Sequence, residues 1–210
     1  MVRDMTKPPI RLHRHVLSGH SHRVELFLSL LGLPSELVDV DITKGAHKAP
    51  EFLRKNAFGQ LPVIEDEDFV LPDSSAILVY LAKRYDTSGR WLPSDARDAA
   101  QVQRWLSVAA GQLVQGPAVA RLVKVFRVPR DADQATSVAN QLFGVLEAHL
   151  ASRRFFVGDG PTIADIALYS YTRHAPEGGI SLEPYPSVRA WLERIEALPG
   201  FVPMKASAVA

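Results

Sequence analysis

From Ile10 to Val16, apolar and basic side chains alternate around Leu12, which is the period of a half-buried strand. Val24, Phe27, Leu28 and Leu31 then recur at helical spacing, with Ser21 placed to cap that helix and Gly32 to end it. Val38, Val40 and Ile42 alternate with acids and predict a second strand. Pro50 suits the first turn of a short helix through Lys55. Pro62-Val63-Ile64 and Phe69-Val70-Leu71 flank the acidic turn Glu65-Asp66-Glu67-Asp68 as a hairpin does. Ile77, Tyr80 and Leu81 form the buried stripe of a helix that starts near Asp73. The predicted order is βαβαββα, an α/β unit.

Beyond Thr87-Ser88-Gly89-Arg90 the strand signal stops, and helical patterns occupy roughly residues 95–114, 132–151, 162–173 and 186–197. In the second of these, Val138, Leu142, Val145, Leu146 and Leu150 form the apolar stripe of a bundle core. The chain is therefore expected to divide into an α/β domain over 1–86, a linker over 87–94 and an all-helical domain over 95–210. It shows no internal repeat and no low-complexity tract.

Composition narrows the function classes. At 210 residues, 47% hydrophobic and 22% charged, the chain is an ordinary globular sequence with room for two small domains. A formal charge of +1 gives no electrostatic case for nucleic acid. There is no cysteine, which excludes a disulfide framework, a thiolate metal site and a protein thiol nucleophile. Met1 to Pro9 is polar and charged, and no run approaches the ~18 apolar residues of a membrane span. The expectation is a cytoplasmic protein with no membrane partner.

Four constellations could carry chemistry. A cis bond at Leu61-Pro62, at the start of a strand, would turn the Leu61 amide and carbonyl toward an extended peptide; an ordinary edge-strand proline is the alternative. Asp73-Ser74 opens a helix, so Ser74 could bind a carboxylate while Asp73 pairs with an ammonium, although plain capping explains the same residues. His47-Lys48 offers two donors for a second carboxylate, or is a solvated loop. Ser18 lies before a helix whose positive end faces its loop, with Gly19 beside it to let the backbone approach a ligand. A hydroxyl there could donate to an anion, or be one member of a serine-rich cap.

Taken together, the element order, the Leu61-Pro62 step, the Asp73-Ser74 helix start and the all-helical second half resemble a cytosolic glutathione transferase, over essentially all of 10–201. The segment Gly45-Ala46-His47-Lys48-Ala49-Pro50-Glu51-Phe52-Leu53, followed by Asn56-Ala57-Phe58-Gly59-Gln60-Leu61-Pro62, is most similar to the serine-type branches, the Phi class in particular. The length is that of bacterial members. The resemblance implies a thioredoxin-like domain followed by a helical bundle, a homodimer, and glutathione as co-substrate without a metal. It makes Ser18 the hydroxyl that stabilises the glutathione thiolate and His47 and Lys48 the contacts to the glycine carboxylate. Gln60, Leu61 and Pro62 would then hold the middle of the tripeptide, with Asp73 and Ser74 on its γ-glutamyl end. The second half agrees through Gly158-Asp159-Gly160-Pro161-Thr162-Ile163-Ala164-Asp165, which resembles the family's buried capping segment and makes Asp165 a folding residue.

Three departures from the family pattern stand out: Ala57 where Pro is frequent, Asp73 where Phi members usually carry Glu, and Ser75 where many carry Arg. The shorter Asp73 bears on the γ-glutamyl contact. A small hydrophobic electrophile or organic hydroperoxide is the implied second substrate. Its pocket is expected between the domains, from His20 in the 18–22 loop and from Trp105, Val108, Ala109 and Gln112 on the first long helix, with packing in the interdomain core as the leading alternative for Trp105. Two rivals remain: a metal site from His13, His15, His20 and His22, and a non-catalytic glutathione-binding or protein-interaction module. The lack of cysteine argues against the cysteine-type transferases that reduce mixed disulfides.

Overall fold

The computed structural model describes residues 8–208, so most of the polar N-terminal segment lies outside the described residues. A four-stranded sheet in the order β2-β1-β3-β4 is formed by β1 (Ile10–Arg14), β2 (Ser35–Asp39), β3 (Val63–Asp66) and β4 (Phe69–Pro72). β1 runs parallel to β2, with Leu12 opposite Leu37, and antiparallel to β3, with Leu12 opposite Ile64; β3 and β4 form the expected hairpin. Helices α1 (Gly19–Leu30), α2 (Pro50–Leu53) and α3 (Ser74–Tyr85) complete this part, and a turn of 3-10 helix over Ala46–Lys48 precedes α2. The predicted order holds.

Where boundaries differ, a side chain has captured the backbone. β1 stops at Arg14, short of Val16, because the His15 amide donates to Ser21 Oγ at 3.3 Å and the Ser18 amide turns back to the His15 carbonyl at 2.9 Å. The cap of α1 is accordingly Ser18 and not Ser21: Ser18 Oγ accepts from the Ser21 amide at 3.2 Å. β2 stops at Asp39, short of Ile42, because Asp41 Oδ1 accepts from the amides of Thr43 and Lys44 at 3.0 and 3.1 Å and winds the chain into a turn.

The remainder is helical: α4 (Ala96–Ala110), α5 (Val119–Phe126), α6 (Ala132–Leu150), α7 (Ile163–Arg173) and α8 (Pro186–Glu196). α4 ends at Gly111, earlier than the apolar pattern suggests, and the chain then passes through a wide π turn over Val114–Ala118 that contains Pro117. The proline removes an amide donor from the helical ladder, and α5 follows in a region for which the sequence reading predicted no element. The expected capping box is present at α7, where the Thr162 amide donates to Asp165 Oδ2 at 2.8 Å and Thr162 Oγ1 accepts from Ala164.

One hydrophobic core runs through both halves. α1 packs on the sheet on one side and on α7 on the other. Trp91, in the segment expected to be a linker, is 2% exposed and sets its ring edge-to-face on Phe27, while its carbonyl accepts from the Ile163 amide at 2.9 Å. His22 bridges the halves, with its ring nitrogens 2.9 Å from Ser170 Oγ and 2.9 Å from the Val202 carbonyl oxygen. Gly19 meets α7 as well: a Cβ there would stand 2.9 Å from the Tyr171 ring. Its lack of a side chain thus serves interdomain packing.

Candidate active site

Between the two halves lies a cavity of about 870 Å³. Ser18, His20, His47, Lys48, Gln60, Leu61, Pro62, Asp73 and Ser74 all line it, although they come from four separate stretches of chain. Local geometry explains how each is presented. Asn56 folds the segment ahead of β3: its side-chain amide donates to the Gln60 carbonyl at 2.9 Å, and its Oδ1 accepts from the Phe58 amide at 3.0 Å. Gly59, at φ +57°, passes under the 3-10 turn so closely that a Cβ would meet the His47 carbonyl oxygen at 2.7 Å and Lys48 Nζ at 2.8 Å. Lys48 Nζ donates to the Phe58 carbonyl at 2.8 Å. The Leu61-Pro62 bond is cis.

At the start of α3, Asp73 holds φ +74° and ψ 119°, a strained backbone for a residue other than glycine, while its Oδ1 accepts from the Ala76 amide at 2.8 Å. Ser74 is buried. Its Oγ accepts from Arg23 Nη1 at 3.3 Å and lies 3.3 Å from His20 Nδ1. Burial pulls the His20 imidazole down to about 3, helped by the charge of Arg23, so His20 is neutral across the physiological range. Burial also lowers Arg23, to about 10, which leaves it a cation beneath the Asp73-Ser74 corner. The cavity is therefore lined by the buried cation Arg23, by the exposed cation Lys48 and by Arg121, whose charge is paired with Glu177.

Part of the cavity wall expected from sequence lies elsewhere. Trp105, Val108, Ala109 and Gln112 do not line the cavity. Trp105 is 2% exposed inside the helical half, 4.6 Å from the Phe156 ring centroid, and Ala109 is buried. Of α4 only its last residue, Ala110, lines the cavity; the helical half contributes Val114, Ala118, Leu122 and Phe126 around α5, with Tyr171 from α7. The signal was present as Val119, Leu122, Val123 and Phe126 at helical spacing, but the Gly116-Pro117 break hid it. Arg23 and Arg121 also line the cavity and were not singled out from sequence, and His15, considered there only as a metal ligand, lines it too.

The four histidines separate in the fold. His13 is buried and paired with Glu65, His22 lies in the interdomain contact, and His15 and His20 line the cavity. Among the described residues no group of three or more His, Cys, Asp or Glu side chains is placed to hold a metal ion. None of the described helices is long and apolar enough to cross a membrane.

Comparison with known proteins decides the family. The family models described as glutathione S-transferase N-terminal domain and C-terminal domain match residues 8–83 and 116–199. The chain belongs to the glutathione S-transferase family. Human glutathione S-transferase theta-2 is 34% identical over 91% of this chain and 82% of its own length. Zea mays glutathione S-transferase 3 is 35% identical over 92% of this chain and 91% of its own length. These two stand level in identity. A crystal structure of a glutathione S-transferase from Pseudomonas fluorescens superposes with a TM-score of 0.89 at 34% identity, over 95% of this chain and all of that one. The architecture is thus a thioredoxin-like domain followed by a helical one, and the protein is a glutathione-dependent transferase enzyme.

Proposed function

We propose that Ser18 binds the glutathione thiol as its thiolate and directs it at a hydrophobic electrophile or an organic hydroperoxide held against α5. The observation that carries this reading is the state of the Ser18 hydroxyl. Its oxygen already accepts from the Ser21 amide at the start of α1, which leaves its own proton free to donate into the cavity. His47 and Lys48 take the glycine carboxylate, Gln60, Leu61 and Pro62 hold the middle of the tripeptide, and Asp73 and Ser74 receive the γ-glutamyl ammonium and carboxylate.

The energetics suffice. Lowering a thiol from about 8.5 to about 6.5 requires ~2.7 kcal/mol of selective thiolate stabilisation. A hydrogen bond to a charged group contributes roughly 1.5–3 kcal/mol and a helix N-terminus roughly 0.3–1 kcal/mol. The proton leaves to solvent, so no general base is needed. In conjugation, the sulfur–carbon bond forms as the electrophile's leaving group departs. With a hydroperoxide, the thiolate takes the distal oxygen as the O–O bond breaks, the alkoxide leaves as the alcohol with a proton from solvent, and a second glutathione thiol then completes the disulfide and releases water. The apolar wall of Val114, Ala118, Leu122 and Phe126 suits an uncharged organic partner in either reaction.

The test is a pH titration of thiolate absorbance for glutathione on the protein, run beside turnover of an aryl halide and of an alkyl hydroperoxide. The expected result is ionisation at least about one unit below the free thiol, with turnover following the same titration. Binding with an unshifted thiol and no turnover overturns the reading in favour of a non-catalytic binding module.

We also propose a cytoplasmic homodimer. Phe58, beside the glutathione subsites, is 78% exposed, and Phe69 and Val70 on edge strand β4 are 43% and 38% exposed, which is apolar surface on the thioredoxin-like domain that a second copy could cover. Phe58→Ser is expected to move the sedimentation coefficient from dimer to monomer while leaving the melting temperature within about 3 °C at equal protomer concentration. A variant that sediments as the wild type does would remove Phe58 from the interface.

A further inference from the structure

The peptide unit immediately before Ser18 is held at both ends. Its N–H, the Ser18 amide, donates to the His15 carbonyl at 2.9 Å. Its oxygen, the Leu17 carbonyl, accepts from Arg121 Nη1 at 2.6 Å. Arg121 belongs to α5 in the helical half and is 2% exposed, so this charge-assisted bond crosses the domain interface in a dry environment. Fixing both ends of that plane fixes the direction in which the Ser18 Cα presents its hydroxyl.

Arg121 is itself held. Its Nε donates to Glu177 Oε2 at 2.8 Å, and Glu177 Oε1 lies 2.6 Å from His174 Nδ1 and accepts from the Ser207 amide at 3.2 Å. Burial pushes the Glu177 carboxyl up, but the hydrogen bonds from Ser207 and His174 and the charge of Arg121 outweigh it and hold the group at about 2. The ion pair is therefore intact at any working pH. Gly178 lets the turn that bears Glu177 come this close: a Cβ there would meet the Arg121 amide nitrogen at 2.9 Å and the Ala120 carbonyl carbon at 3.0 Å.

We infer that Arg121, clamped by Glu177, is the positioning residue for the Ser18 hydroxyl: through the Leu17 carbonyl, the helical domain sets the aim of the thiolate-binding group in the other domain. This rests on the reading of Ser18 given above. The inference assigns Arg121 no contact with glutathione; it acts only through the loop. Its removal should raise the pKa of the bound thiol and leave affinity for the rest of the tripeptide intact.

The experiment compares Arg121→Met/Glu177→Gln, which removes the buried pair together so that no lone charge is stranded, with the same change made in a Ser18→Ala background. In the Ser18 protein, the bound thiol should titrate about one unit higher, with kcat/KM at pH 6.5 down about tenfold and recovering at alkaline pH. The Kd of S-methyl-glutathione, which lacks an ionisable thiol, should stay within about threefold. In the Ser18→Ala background the same change should cost almost nothing further, because the group being aimed is gone. Equal losses in both backgrounds, or an unmoved thiol titration, overturn the inference. If the double variant does not fold, Arg121→Lys keeps the charge beside Glu177 and gives up the second donor, and it should show the same dependence on Ser18 at about threefold. If wild type and Ser18→Ala titrate alike, the Ser18 reading itself has failed and the inference falls with it.

Discussion

Ser18→Ala is expected to raise the pKa of protein-bound glutathione by about 1.5 units and to lower kcat/KM at pH 6.5 by roughly 10–100-fold. In the role proposed for Ser18, the hydroxyl supplies the larger share of the ~2.7 kcal/mol that the thiolate needs, and the α1 terminus, which remains in the variant, supplies only the smaller share. The effect has a pH signature. Well above about pH 8.5 the thiol ionises without help, so the gap between variant and wild type should narrow as pH rises. Ser18 also caps α1 through the Ser21 amide, so the variant should lose about 1 kcal/mol of stability, visible as a small fall in melting temperature. Ser18→Thr keeps a hydroxyl and a cap, and it should recover most of both. A flat pH dependence of the ratio, or a kcat/KM loss with no movement of the thiol titration, would show that Ser18 serves only the helix.

The candidate site was legible in the sequence to the extent that its members are fixed by local backbone chemistry. Asp73-Ser74 reads as a helix start because capping requires those side chains there, and the strained Asp73 backbone then carries the pair to the cavity. Gln60-Leu61-Pro62 and His47-Lys48 likewise belong to turns with readable residues. What stayed hidden depends on contacts between distant segments. α5 was missed because Gly116 and Pro117 interrupt the apolar period, yet Gly116 is required where it stands: a Cβ there would meet the Ala139 amide nitrogen of α6 at 2.7 Å. Trp105 was drawn toward the cavity because a large aromatic on the first long helix could face either way, and only the packing of Phe156 and His149 shows that it faces the helical core. Arg23 and Arg121 are buried cations, and no periodicity announces which cation in a helix will be buried. Boundary errors at Val16 and Ile42 have one cause: Ser21 and Asp41 compete for backbone amides and end the strands early.

Asp165→Asn is expected to destabilise the fold by about 3 kcal/mol or more at pH 7, without altering the cavity it never touches. Asp165 is fully buried, and four donors converge on it. Oδ1 accepts from the Phe156 amide at 3.1 Å and from Trp191 Nε1 at 3.0 Å, while Oδ2 accepts from the Thr162 amide at 2.8 Å and Thr162 Oγ1 at 3.1 Å. An amide fails in either orientation. Whichever oxygen becomes NH₂, a donor then faces a backbone N–H that has no other partner, at about 1–3 kcal/mol for each group left unpaired. The loss falls where α7 begins, and α7 packs on both α1 and α4, so it weakens the joint between the domains as well as one helix.

The sign of the pH dependence separates this account from simple loss of packing. Burial pushes the Asp165 carboxyl up to about 6, with the four donors offsetting only part of the desolvation. A carboxyl raised in the folded state binds a proton there that the unfolded chain does not hold between about pH 6 and about pH 4. Its contribution to stability therefore grows as pH falls through that window, the reverse of the usual acid-labile carboxylate. Asn has no such titration. Denaturant melts of the two proteins should show a stability difference that is already large at pH 7 and widens toward pH 4.5. A difference that shrinks with acid would mean that the converging donors hold Asp165 below its unfolded value and that their pull outweighs its burial; a difference below about 1 kcal/mol at pH 7 would mean that the segment 156–165 can rearrange to satisfy the amide.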